Sequence, residues 1–160
     1  MSGGARAAQL AAEFEAAAGE VVSFARACPE ATWGTATGSE GWSVGAVLNH
    51  IADGHAGIRR WMQDYLDGHP AQGLDQVNTT NATRSKANAA RGRDETIQRL
   101  ERNAEAALGL IANLSDEQLE IAFPFGTMPE MTLAGLARMA ATHASRHLAS
   151  AQAASGISSD

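Results

Sequence analysis

The sequence predicts an all-α protein, a four-helix bundle with a longer loop before the last helix. Three observations carry that prediction. Apolar residues make up 44% of the 160 residues but aromatics only 5%, so the core must be built from aliphatic side chains and from alanine, the best intrinsic helix former. Large apolar residues recur in steps of three and four in four separate segments. No segment alternates convincingly with the period of two that marks a half-buried strand, and no internal repeat is present. The length suits one domain over residues 1–160 with its core between about 5 and 154.

The first helix is expected from Ala5 to Ala27, with Leu10, Phe14, Val21 or Val22, and Phe24 or Ala25 on one face. Pro29 stops it, and the Gly- and Thr-rich stretch to Gly41 reads as a loop. Ser43 is a suitable N-cap for the second helix, and Trp42 ahead of it is placed to pack on Val47. The apolar stripe then runs through Val44, Val47, Leu48, Ile51, His55, Ile58, Met62 and Tyr65 to an end near Gly68 and Pro70. A connector from His69 leads to a third helix over about 79–113, with Ile97, Leu100, Ala104, Ala107, Leu108, Ile111 and Leu114 at helical spacing. Gly92 is a weak point midway, because glycine costs about 1 kcal/mol in a helix interior. Ser115 to Gln118 has the pattern of a capping box. Phe123 to Pro129 reads as an apolar, proline-interrupted loop. Thr132 caps a fourth helix to about Ala154, followed by a polar tail that is expected to fray.

Composition narrows the function. A formal net charge of −6 offers no basic footprint for nucleic acid. The basic residues from Arg84 to Arg102 alternate with Asp94, Glu95 and Glu101, as on a solvated helix face. The one cysteine, Cys28, excludes an intrachain disulfide and a thiolate cluster, and its place beside Pro29 at a helix end suits a structural role. No apolar run approaches the ~20 residues of a membrane span, and no signal-like block opens the chain. A cytoplasmic protein is the expectation.

The residues that carry chemistry are histidines. His143 and His147 stand four apart in the fourth helix, one turn apart on one face, so their rings can converge on one ion. They continue the stripe Leu133, Leu136, Ala140, and inward imidazoles need partners. The same spacing also suits two surface or hydrogen-bonded histidines. His50 flanks the stripe of the second helix, and Ala46, Gly54 and Gly57 share its face. Two interior glycines there fit a space kept open above His50, or a helix that comes very close. Three imidazoles with an open fourth position is the arrangement of catalytic zinc sites, and nickel, iron or cobalt accept the same ligands. The bland alternative is three packed histidines. Asp53, one turn after His50, is either an orienting carboxylate or base or simply a solvated one. His55 reads as a core-edge residue, His69 as exposed, and Trp33, Trp42 and Tyr65 as packing residues.

At these residues the chain resembles the DinB-like metalloprotein superfamily, which includes mycothiol-dependent maleylpyruvate isomerases and bacillithiol transferases. The likeness runs from about Gly41 to Gln152: the Trp42-Ser43 opening that leads to His50, the loop from Leu114 to Thr132, and the closing pair His143 and His147. The resemblance implies a bundle with one divalent metal, zinc first and nickel often, on His50, His143 and His147. It also implies a small-molecule substrate and a homodimer, and a low-molecular-weight thiol such as mycothiol or bacillithiol as co-substrate. In thiol-using members one last-helix ligand can be Glu where this chain has His143, which weakens transfer of the isomerase activity. Those isomerases carry an extra C-terminal domain that 160 residues are not expected to hold. The functions in play are a metal-dependent thiol S-transferase, a metal-dependent hydrolase, and a non-catalytic metal-binding bundle, stress-related or ligand-sequestering. The last predicts a site closed by a fourth protein ligand or an apolar plug.

Overall fold

A computed structural model describes residues 3–38, 41–71 and 73–157. The elements in chain order are α1 (Ala5–Ala27), α2 (Glu30–Trp33), α3 (Val44–Leu66), α4 (Leu74–Ala89), α5 (Arg93–Ala112), α6 (Asp116–Leu119), β1 (Ala122–Phe125), β2 (Met128–Thr132) and α7 (Leu133–Ser155). Four long helices make the bundle. α1 and α3 each pack against both α5 and α7, so α1 lies diagonally across from α3. The fold is the expected all-α one.

The local signals set the helix boundaries. Ser43 Oγ accepts from the backbone N–H of Ala46 at 3.1 Å, and Thr132 Oγ1 accepts from that of Gly135 at 3.0 Å. Ser115 and Gln118 form a reciprocal capping box. Gly156, at φ +69°, ends α7 in the left-handed conformation that favours glycine. Every residue of the predicted α3 stripe is buried, and so are Leu10, Phe14, Val21, Phe24 and Ala25 of α1.

Four expectations need correction. The third helix is two. α4 ends at Ala89 and Gly92 caps α5 with extended backbone, so the weak point is a corner. The cause is patterning. α5 buries Thr96, Leu100, Ala107 and Ile111 in the bundle, whereas α4, rich in Asn, Thr and Ser, has no apolar stripe and lies against α3. The loop before α7 contains an antiparallel hairpin, with Ala122 opposite Thr132 and Phe123 opposite Met131. Gly126, at φ +59°, turns it, and Pro124 sits at the register shift where no ladder donor is needed. The stretch after Pro29 holds the short α2 and a bridge between Ala36 and Ser43, with residues 39–40 outside the described ones. Of the tail, Ser155 is helical and Ile157 packs on the core, while residues 158–160 lie outside the described ones. No helix among the described residues is long and apolar enough to cross a membrane.

Candidate metal centre

His50 projects from the second turn of α3, and His143 and His147 project from the middle of the adjacent α7. All three are half-buried. The fully buried line of α7 runs through Ala140, Ala144, Leu148 and Ala151. The histidines therefore flank the stripe instead of continuing it, and face the α3–α7 seam. His143 Nε2 lies 3.0 Å from His50 Nε2. Ring centroids are 4.9 Å apart for His50 and His143, 4.5 Å for His50 and His147, and 4.6 Å for His143 and His147. One nitrogen from each ring falls within 4.8 Å of the others. Bonds of 2.0–2.1 Å in a tetrahedral site set ligand nitrogens about 3.3 Å apart, so the spacing suits one ion.

Gly54 and Gly57 divide the two roles that their helix face suggested. A Cβ on Gly54 would stand 2.5 Å from His143 Cε1 and 2.7 Å from its Nδ1, so the ring rests directly on the α3 backbone. Gly57 has nothing within 4 Å of that position. It lines a cavity of about 610 Å³ that reaches the three histidines and is walled by α3, α4, α7 and the hairpin.

The electrostatics keep the imidazoles neutral, which is the form that binds metal. Burial pushes the His143 pKa down to about 2, helped by His50, His147, Arg146 and His55. Burial, then His50 and Arg146, push His147 down to about 4. Burial lowers His50 too, against the opposing charge of Asp53, while Arg146 lowers it further. His143 Nδ1 is buried without a hydrogen-bond partner.

Asp53 is not the solvated carboxylate that its sequence position suggested. Arg99 Nη2 donates to Oδ1 at 2.6 Å and Asn88 Nδ2 to Oδ2 at 2.8 Å. Arg99 also donates to Asn49 Oδ1 at 2.5 Å, and Asn49 donates to Thr96 Oγ1 at 2.7 Å. This network, buried at Asn49, Asn88 and Thr96 and partly buried at Asp53 and Arg99, ties the α4–α5 corner to α3 around His50. It also takes Arg99 out of the predicted solvated basic face, where Arg91 with Glu95, and Glu101 with Arg26, remain ion-paired. The network gave no sequence signal, since its members lie up to 50 residues apart.

The remaining candidates sort by environment. Trp42 packs on the part of the core that includes Val47, and its ring also stands 5.0 Å from that of His50, so it borders the site as well. Trp33 donates to Arg91 O at 3.2 Å, and Tyr65 is buried with its hydroxyl toward Phe123 O. His55 is deeper than a core edge. It is 1% exposed, edge-on to Phe14, with both nitrogens unpartnered and its pKa pushed down to about 4 by burial. His69 is exposed. Cys28 is buried outside the cavity, and burial raises its thiol pKa against the lowering effect of Arg93, so it stays protonated and structural. Sequence reading missed the cavity residues Arg60, Trp61, Arg84, Phe125, Met139 and Arg146. Of these only Arg146, set between the two histidines, had a local hint.

No curated protein and no solved structure gives a significant match to the chain. The sequence model of one family does match, over residues 13–151, and that family is described as the DinB superfamily. Its members are generally metal-binding, in keeping with the three-histidine cluster. With most of its length covered by that match, the chain belongs to the DinB superfamily.

Proposed function

We propose that this protein is a mononuclear metal enzyme in which His50, His143 and His147 hold a divalent ion, and that it transfers a low-molecular-weight thiol such as mycothiol or bacillithiol to a small electrophile. Zinc is the first choice, with nickel, iron or cobalt as alternatives. The observation that carries the reading is the position of three convergent, neutral imidazoles on the wall of an open cavity of about 610 Å³. Among the described residues the cluster has no fourth histidine, cysteine or carboxylate. That argues against a closed, non-catalytic site, which needs four protein ligands or a plug.

A divalent ion in such a site supplies Lewis acidity, enough to ionise a bound thiol or water at neutral pH. The chain's own residues favour the thiol. Cys28 is buried away from the cavity, so the protein offers no thiolate of its own. The one carboxylate among the described residues lining the cavity, Asp53, has both oxygens engaged by Arg99 and Asn88 and is a poor base for water. A free thiol, with a pKa near 8.5, needs far less help to ionise than water at 15.7. Gly54 seats the His143 ring, the depressed histidine pKa values keep all three rings able to coordinate, and Trp42 borders the His50 ring.

The test is elemental analysis of untagged protein purified without chelator, with His50→Ala and His143→Ala beside it. About one equivalent of metal, lost in both variants while each keeps its helical circular dichroism, supports the site. Mass spectrometry of mixtures of mycothiol or bacillithiol with a general electrophile then looks for the conjugate. No metal on purification or titration removes the reading. The proposal includes a homodimer, which light scattering checks.

A further inference from the structure

The cavity beside the histidines has a charge pattern unlike that of the whole chain. The protein carries a formal net charge of −6, yet the charged residues that line the cavity, apart from the histidines, are Asp53 and three arginines. Arg60 comes from α3, Arg84 from α4 and Arg146 from α7. Asp53 does not balance Arg84 and Arg146, because its oxygens belong to Arg99 and Asn88. Arg84 and Arg146 form no ion pair among the described residues, whereas Arg6, Arg26, Arg91 and Arg99 each do. Arg146 is near enough for its charge to act on all three histidines. Part of the remaining wall is apolar, with Ile58, Trp61, Phe125 and Met139.

Guanidinium groups brought from separate helices to one cavity, where the lining carboxylate is already paired, make a field that concentrates anions. Their planar donor forks match the oxygens of a carboxylate or phosphate. Apolar walls supply the burial that holds the body of a small ligand, while a few polar groups orient it. We infer that the cavity takes a small molecule with an apolar body and an oxyanion end, the oxyanion held by Arg84 and Arg146 beside the three histidines. The inference rests on reading this cavity as the substrate chamber of the metal centre. It also gives α4 a purpose. That helix has no apolar face for the bundle and packs mainly on α3, but it brings Arg84 to the cavity.

Calorimetric titration of the purified, metal-analysed protein tests the inference with three probes: 4-phenylbutyrate, phenyl phosphate and the neutral 4-phenylbutanamide. An oxyanion can also bind a metal directly, so Arg84→Gln and Arg146→Gln decide the matter. The expected result is binding of at least one anion, with the amide about tenfold weaker or worse. Each variant should weaken the anion about tenfold with its metal content unchanged. The tighter of the two anions distinguishes carboxylate from phosphate. Should Arg146→Gln also lose metal through its neighbours, Arg84→Gln alone decides. Equal binding of butyrate and amide, anion binding untouched in Arg84→Gln, or no anion binding would overturn the inference. Arginine-dependent anion binding by a protein that takes up no metal would sustain the inference and defeat the metal reading. Bound metal with arginine-independent binding would do the reverse.

Discussion

Gly54→Ala places a methyl group where the His143 ring now rests. The new carbon would stand 2.5 Å from Cε1 and 2.7 Å from Nδ1 of that ring. Ordinary contact between such atoms begins near 3.5 Å, so the ring must retreat by about 1 Å. Metal–ligand bonds tolerate about 0.2 Å, so the retreat takes His143 out of the set. Loss of an outer partner of a ligand already costs 10- to 100-fold in metal affinity, and loss of the ligand itself should cost about 100-fold or more. Helix propensity acts in the opposite direction, since alanine in a helix interior is favoured over glycine by about 1 kcal/mol. The metal-free variant should therefore unfold near the wild-type temperature even as it loses metal. Gly57→Ala is the control, because nothing lies within 4 Å of its added carbon. It should keep the metal and gain roughly 2–4 °C in Tm from the same propensity. Competition with a chromophoric chelator and thermal unfolding of the metal-free forms measure both effects. If Gly54→Ala binds metal as tightly as wild type, His143 is not a ligand from this position. If both variants lose metal equally, the effect runs through α3 as a whole and not through the ring.

The other expectations concern charge and burial. Asp53→Asn leaves Arg99, whose side chain is 15% exposed, without its carboxylate. Urea unfolding should show a loss of about 2–4 kcal/mol, and a loss below about 0.5 kcal/mol would show the pair to be effectively solvated. In the metal-free protein His55 is neutral, with a folded pKa of about 4 against about 6.5 unfolded. Between those values the unfolded chain takes up a proton that the folded one refuses. The contribution is thus complete above pH 6.5 and lost as pH falls towards 4, and His143 and His147 act in the same direction. His55→Phe keeps a ring against Phe14 and removes two unpartnered nitrogens. Guanidinium unfolding between pH 7 and 4.5 should give a more stable variant with a shallower pH dependence, and an unchanged slope would refute the assignment.

The parts of this molecule that the sequence disclosed are those whose geometry is local. A cap and its N–H lie three residues apart, as Ser43 with Ala46 and Thr132 with Gly135 do. A helix turn fixes the spacing of His143 and His147 whatever surrounds them. Gly54 and Gly57 were legible as anomalies because glycine in a helix interior needs a reason. The misread parts depend on what each segment meets across the fold. A helix with no apolar stripe has no period to read, so α4 merged with α5 until its neighbours were known. Phe123 to Pro129 looked like a loop because Pro124 interrupts the strand pattern, yet a bulge absorbs a residue with no N–H. Asp53 looked solvated because nothing nearby in sequence pairs with it, and Arg99 and Asn88 reach it from 46 and 35 residues away. The same limit applies to the cavity. Arg60, Arg84 and Arg146 sit in three unrelated local contexts, and no spacing relates them. They become one feature when α4 folds back on α3, so the segment with the weakest helical pattern is the one that completes the chamber.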